Sequence, residues 1–187
     1  MRKPANASNL TANPVQGDRD AWCTPAWLTA LLPEVDLDPC SNPRSTVRAA
    51  RTYQLERGED GLTLPWIGAV FVNPPYGNPL PWAERADAHD GPIGVLVNLD
   101  ASTRWWRALT AGLDTALMFT RRIQFTPPPG VRPSTNNKPQ ALVMNAAFLA
   151  LCSDALLAFG VRWQCRRGPA PVVAPRARQA PPVEGEP

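Results

Sequence analysis

Residues 70–78 read VFVNPPYGN. Three apolar β-formers run into Asn73, Pro74 and Pro75, then Tyr76 and Gly77. A proline has no N–H to give to a ladder, so a strand entering this stretch must leave the sheet at Asn73. The preceding run, GAVFVN (68–73), carries no polar side chain before the asparagine. That continuity predicts a central strand covered on both faces, as in an α/β sheet.

The rest of the chain is read outward from this strand. Upstream, Thr24-Pro25 predicts a helix start, with Thr as N-cap and Pro in the first turn. Trp27, Leu28, Leu31 and Leu32 then form one apolar face, ended by Pro33. VDLD (35–38) predicts a short strand stopped by Pro39, and STVRAARTY (45–53) predicts a helix. Downstream, residues 80–89 predict a helix and IGVLVNLD (93–100) a second buried strand. STRWWRALTAG (102–112) predicts a helix capped by Ser102 or Thr103. TALMFTRRIQF (115–125) and ALVMNAAFLAL (141–151) predict two strands around a Pro-rich loop. Helix and strand alternate through the first two thirds. The pattern predicts an α/β fold, a mostly parallel sheet closed by a terminal antiparallel strand pair.

Three regions are expected: a polar, mobile segment over 1–20, one folded domain over 21–167, and a Pro/Ala-rich disordered tail over 168–187. The chain has 187 residues, 44% of them hydrophobic, which suits a single domain with a sizeable core. No apolar run reaches the roughly 18 residues of a membrane span. The N-terminus has no apolar core of a secretory signal, so the expectation is a soluble cytoplasmic protein without a membrane partner. Four cysteines (Cys23, Cys40, Cys152, Cys165) show no CxxC spacing, and His89 is the one histidine. A zinc site or a His-based triad is poorly supplied, and no metal is expected.

Net charge is +3, which permits nucleic acid as a partner without demanding it. Between Thr115 and Gln140 there is no acid, while Arg121, Arg122, Arg132 and Lys138 all fall there. The loop TPPPGVRPSTNNKP (126–139) adds Asn136 and Asn137. Arg and Lys suit phosphates, and Asn suits adenine edges. These six residues are the candidate nucleic-acid contacts, and DNA contacts under the resemblance given below.

Ligands of α/β sheets bind beyond the C-terminal ends of the strands. Two such ends carry polar turns, Asp38-Pro39-Cys40-Ser41-Asn42 and Asn73-Pro74-Pro75-Tyr76. Asn73 and Pro74 each precede a proline and are held extended. The Asn73 side-chain oxygen and the Pro74 carbonyl are then two fixed acceptors with no competing N–H. Together they can take both hydrogens of an NH₂ group, while Tyr76 stacks on the ring that carries it. Such an amine is a poor nucleophile because its lone pair is conjugated. Gripping its hydrogens favours a tetrahedral nitrogen and stabilises the positive charge of attack. On the residues alone the acceptor stays open: adenine N6, cytosine N4 or a protein glutamine. A catalytically inactive DNA-binding module is the alternative of another class.

The NPPYG at 73–77 resembles the catalytic motif of amino-group methyltransferases that use S-adenosylmethionine (SAM). The wider pattern is WCTPAWLTALL (22–32), DLDPCSNPRSTVRAARTY (36–53) and EDGLTLPWIGAVFVNPPYGNPLPWAERA (59–86). It resembles the small phage-type, Dam-like DNA adenine-N6 methyltransferases over about residues 21–150. The resemblance implies a Rossmann-like SAM-dependent methyltransferase fold, SAM as cofactor and double-stranded DNA as substrate. It also implies a phage or prophage origin in a bacterial host. Residue by residue, it implies a SAM site at Thr24, Pro25, Asp38, Pro39, Ser41, Asn42, Asp60 and Leu62, with Glu56 as a further ribose candidate. It implies a target-base site at Asn73, Pro74, Pro75 and Tyr76. The Gly-rich loop usual after the first strand of SAM enzymes is missing: no glycine occurs between Gly17 and Gly58.

Overall fold

A computed structural model describes residues 22–133 and 137–165. The segment 1–20, the tail 168–187 and Asn136 lie outside the described residues. Seven strands form one sheet in the order β2-β1-β3-β4-β6-β5-β7. They are β1 (Val35–Asp38), β2 (Ala49–Thr52), β3 (Val70–Val72), β4 (Ile93–Asn98), β5 (Thr115–Phe119), β6 (Gln140–Met144) and β7 (Gly160–Gln164). The helices are α1 (Ala26–Thr29), α2 (Leu80–Asp87), α3 (Arg104–Gly112), α4 (Ala146–Leu149) and α5 (Asp154–Leu157).

β2, β1, β3 and β4 are mutually parallel. The β4–β6, β6–β5 and β5–β7 pairings are antiparallel. The fold is therefore mixed α/β, parallel at its start, with a larger antiparallel part than the terminal pair expected. β6 inserts between β4 and β5 rather than closing an edge.

Alternation along the strands feeds two cores. Val70, Val72, Ile93, Val95 and Val97 face one side, with Trp82, Trp106 and Leu109 of α2 and α3. Phe71, Leu96, Leu117 and Leu142 face the other, with Leu28, Phe148 and Leu156 of α1, α4 and α5. Each such side chain contributes about 1.5–3 kcal/mol by leaving water. Gly94 makes room for this packing, because a Cβ there would lie 2.6 Å from the Phe148 ring.

Three expectations are corrected. Residues 45–53 are not a helix: Ala49–Thr52 is an edge strand parallel to β1, in register Val35↔Ala49 and Asp38↔Thr52. Pairing with β1 overrides the local helical preference of an Ala/Arg-rich run. The segment 141–151 is not one strand. β6 ends at Met144, and Asn145 caps α4 by accepting the Phe148 N–H at 2.9 Å. The same oxygen accepts the Ile93 N–H at 3.2 Å, so one asparagine ends a strand, starts a helix and ties both to β4. Finally, the strand expected over 115–125 stops at Phe119, and β7 and α5 have no counterpart among the expected elements. The helix after Thr24-Pro25 begins at Ala26, with Pro25 as the flanking residue. α2 and β3 lie within their predicted ranges, and Thr103 caps α3 by accepting the Trp106 N–H at 3.3 Å.

Candidate active site

The parallel strands deliver Asp38, Asn73 and Asn98 to one end of the sheet, and β6 starts there with Gln140. Around the end of β1 the turn is built by side chains. Asp38 is buried, and its carboxylate accepts the Cys40 N–H at 3.1 Å and the Ser45 hydroxyl at 3.4 Å. Burial pushes its pKa from 3.8 up to about 6, against these hydrogen bonds and the neighbouring Ser41 hydroxyl, which favour the charged form. Ser41 Oγ is near enough to act on that charge, yet it is buried without a hydrogen bond of good geometry. Asn42 Oδ1 accepts from the Arg44 N–H at 2.9 Å and from Cys23 Sγ at 3.3 Å.

These contacts join the segments marked as SAM-binding from the sequence. Cys23 links buried Thr24 and Pro25 to the β1 turn through Asn42, and Thr29 Oγ1 meets Thr46 Oγ1 at 2.8 Å. From the other side comes Asp60, whose Oδ1 accepts the Leu62 N–H at 2.9 Å. Gly61 then passes so close to buried Pro39 that a Cβ would lie 1.8 Å from its carbonyl oxygen. Gly61 thus brings the segment 60–66 against the glycine-free turn that follows β1. Arg85 of α2 fastens that segment by donating to the Leu62 and Leu64 carbonyls, its guanidinium 5.0 Å from the Trp66 ring centre. Glu56, by contrast, sits in an exposed 3₁₀ turn, Leu55–Arg57.

At the end of β3, Asn73 Oδ1 and the Tyr76 hydroxyl are both buried without a hydrogen-bond partner. Pro74 is buried and Pro75 half-buried. Burial pushes the Tyr76 phenol far above its usual range, so it stays neutral. Its ring stands edge-on to Phe125, centres 5.6 Å apart. Beside it opens a cleft lined by Tyr76, Pro79, Val97, Asn98 and Trp105.

The loop after β5 is anchored at both ends of this surface. Cys23 and Thr126 form an antiparallel bridge, and Arg44 donates to the Pro127 carbonyl at 2.9 Å. At the far end Lys138 pairs with Asp100 at 3.3 Å, and the Leu99 N–H donates to the Pro139 carbonyl at 2.7 Å. Arg121, Arg122, Arg132, Asn137 and Lys138 are all exposed. The segment is acid-free only in sequence, since Asp100 partly balances Lys138 in space. His89 lies at the opposite end of the sheet, 2.9 Å from the Gly68 carbonyl. Among the described residues no group of His, Cys, Asp or Glu is placed to hold a metal, and no helix is long and apolar enough to cross a membrane.

Sequence reasoning missed Asn98, Gln140 and Gly61. Asn98 ends the apolar run IGVLVN and Gln140 opens the apolar run QALVM, and a polar residue at the end of a buried strand is the signal that could have found them.

Fold and site together define an α/β protein with two polar strand-end turns and a cleft beside orphaned acceptors. Comparison with known proteins gives the family. The model of the family described as DNA N-6-adenine-methyltransferase (Dam) matches residues 11–156. The DNA N-6-adenine-methyltransferase of Haemophilus phage HP1 is 32% identical over 146 residues, covering 71% of this chain and 82% of the phage protein. No solved structure matches the chain. The chain belongs to the Dam family of DNA N-6-adenine-methyltransferases. It is an enzyme that passes a methyl group from a donor to adenine in DNA.

Proposed function

We propose that the donor is SAM, that the fold is of the Rossmann-like SAM-dependent methyltransferase type, and that adenine of double-stranded DNA is flipped out to reach Asn73. The observation that carries this reading is the buried, unpartnered Asn73 Oδ1 at the end of β3, three residues before Tyr76, which lines the cleft. A buried acceptor with no donor costs roughly 1–3 kcal/mol, which a bound NH₂ group returns.

SAM supplies an electrophilic methyl group. The residues toward it fit: Asp38 offers a buried carboxylate suited to a cationic amino group, Ser41 an unused hydroxyl, and Pro39 with Gly61 a close backbone floor. Asp60 and Leu62 flank Gly61 in sequence, and Thr24, Pro25 and Asn42 are the further residues proposed toward the donor. On the acceptor side, Asn73 Oδ1 and the Pro74 carbonyl take the two hydrogens of the adenine amine. They hold its nitrogen tetrahedral and stabilise the charge that develops there. Pro74 and Pro75 keep the segment extended, and Tyr76 gives the base a face.

An adenine inside a duplex cannot enter the cleft, so extrusion costs a few kcal/mol. Tyr76→Ala should weaken capture of the extruded base by about 1–3 kcal/mol, the usual worth of one base–aromatic stack. Fluorescence of a 2-aminopurine-containing duplex reads this. An unchanged signal would contradict the stack.

Arg121, Arg122, Arg132, Asn137 and Lys138, with Asn136 of the same loop, make up the proposed backbone and groove contacts. Arg132→Ala combined with Lys138→Ala should lower DNA affinity and make the slope of log affinity against log salt shallower by up to about two phosphate contacts. A titration series with the wild-type slope would remove the loop from the interface.

The reading as a whole is tested by incubating protein, SAM and unmethylated DNA, digesting to nucleosides and measuring N6-methyladenine by mass spectrometry. N4-methylcytosine instead would reassign the acceptor.

A further inference from the structure

Gln140 is fully buried at the start of β6, opposite Asn98 of β4 in the antiparallel register. Its Oε1 accepts the Ile123 backbone N–H at 3.0 Å. Its amide nitrogen donates to the Lys138 carbonyl and, at 3.2 Å, to Asn98 Oδ1. A backbone N–H can only donate and a carbonyl can only accept, so the orientation of the Gln140 amide is forced. That in turn forces Asn98. Its oxygen must face Gln140, and its NH₂ is the end left over. Asn98 Nδ2 makes no hydrogen bond to the described residues, and Asn98 lines the cleft with Tyr76 and Trp105.

Resting on the reading of that cleft as the target-base pocket, we infer that Asn98 is a base-reading residue, donating from Nδ2 to the ring nitrogen beside the exocyclic amine of adenine. Gln140 is the positioning residue that holds it. Asn73 and Pro74 supply acceptors for the amine, and Asn98 supplies the donor. The three groups complement an edge that presents an NH₂ beside an unprotonated ring nitrogen. Adenine offers two such nitrogens, N1 and N7. Thymine has no NH₂, and on the Watson–Crick edge guanine carries N–H at N1 beside its amine, whereas cytosine, with N4 beside unprotonated N3, presents the same pattern as adenine. The arrangement therefore selects adenine and cytosine over thymine and guanine, by pairing and by the cost of leaving polar groups unpaired.

The test is a chemical double-mutant cycle. DNA of one sequence is copied with dATP, 1-deaza-dATP or 7-deaza-dATP, and methyl transfer from radiolabelled SAM is followed. One of the two analogues should lower the wild-type kcat/KM roughly 10–100-fold. Asn98→Ala should show a similar loss on ordinary DNA but less than about a further 2-fold on that analogue, because the lost partner is already absent. Asn98→Asp keeps the bond from Gln140 and presents an acceptor to the cleft, so it should lose at least as much as Asn98→Ala. SAM affinity, measured by calorimetry, should stay at the wild-type value in both variants. Losses that multiply on both analogues, or an Asn98→Asp enzyme of wild-type rate, would overturn the role of Asn98. A parallel fall in SAM affinity would also overturn it. A wild-type enzyme that methylates no adenine on ordinary DNA would instead remove the reading of the cleft beneath it.

Discussion

Asn73→Ala is expected to lower kcat roughly 100- to 1000-fold, the usual worth of one preorganised transition-state partner, while SAM binds as in the wild type. The expectation separates two roles for one side chain. Asn73 Oδ1 is buried and unpartnered in the protein itself. It holds nothing in the fold, so removing it breaks no hydrogen bond. The unfolding midpoint should stay put or rise slightly, because an unsatisfied buried acceptor is relieved. Against that, the positive charge on the attacking nitrogen exists only in transit, so the loss should appear in kcat more than in KM. Single-turnover kinetics with saturating DNA, SAM calorimetry and a thermal melt together decide it. A SAM affinity that drops as far as kcat would place Asn73 in the cofactor site. A melt several degrees lower would make it a structural residue.

The contrast between Asn73 and Asn98 shows which part of the site was legible in the sequence. Asn73 announces itself because its chemistry is local: the prolines that follow fix its backbone and remove competing donors within four residues. Asn98 means nothing until β6 inserts next to β4 and sets Gln140 opposite it, 42 residues away. That insertion was not readable, since an apolar run such as ALVMN fits any place in a sheet. Gly61 is similar. In sequence it is one glycine in a turn, and only the approach of Pro39 explains it. A local reading of the loop that follows β1 does not include this glycine, which meets the turn only across space. The edge strands β2 and β7 escaped for a further reason. Both are largely exposed, so neither carries the apolar periodicity that marks a buried strand.

Asp38→Asn is expected to abolish measurable SAM binding and, in the same protein, to raise stability above pH 6. Asp38 is 3% exposed and has its pKa moved from 3.8 to about 6, with burial the largest cause. The folded protein therefore holds that proton more tightly than the unfolded chain does. Between pH 4 and 6 the folded state binds more protons, so stability falls as pH rises through this window and is flat on either side. At about 1.4 kcal/mol for each tenfold, the displacement is worth roughly 3 kcal/mol at pH 7 and above, as an order of magnitude. An asparagine keeps the acceptor for Cys40 N–H and can donate to Ser45 Oγ, so the neutral residue fits the same contacts without the buried charge. Its gain should be several degrees in midpoint at pH 8, at about 2–4 °C per kcal/mol for a chain of this size, and vanish near pH 4. On the proposed reading, the cationic amino group of SAM beside the carboxylate offsets this cost: charge meets charge where water is excluded. SAM binding should then expel a proton near pH 6 and weaken as pH falls below it, which calorimetry in buffers of different ionisation enthalpy measures directly. Equal wild-type and Asp38→Asn melting curves at both pH 4 and pH 8 would show that the buried carboxylate carries no such strain. A variant that still bound SAM would move the cation's partner elsewhere, with Asp60, the neighbour of Gly61, the next carboxylate to test.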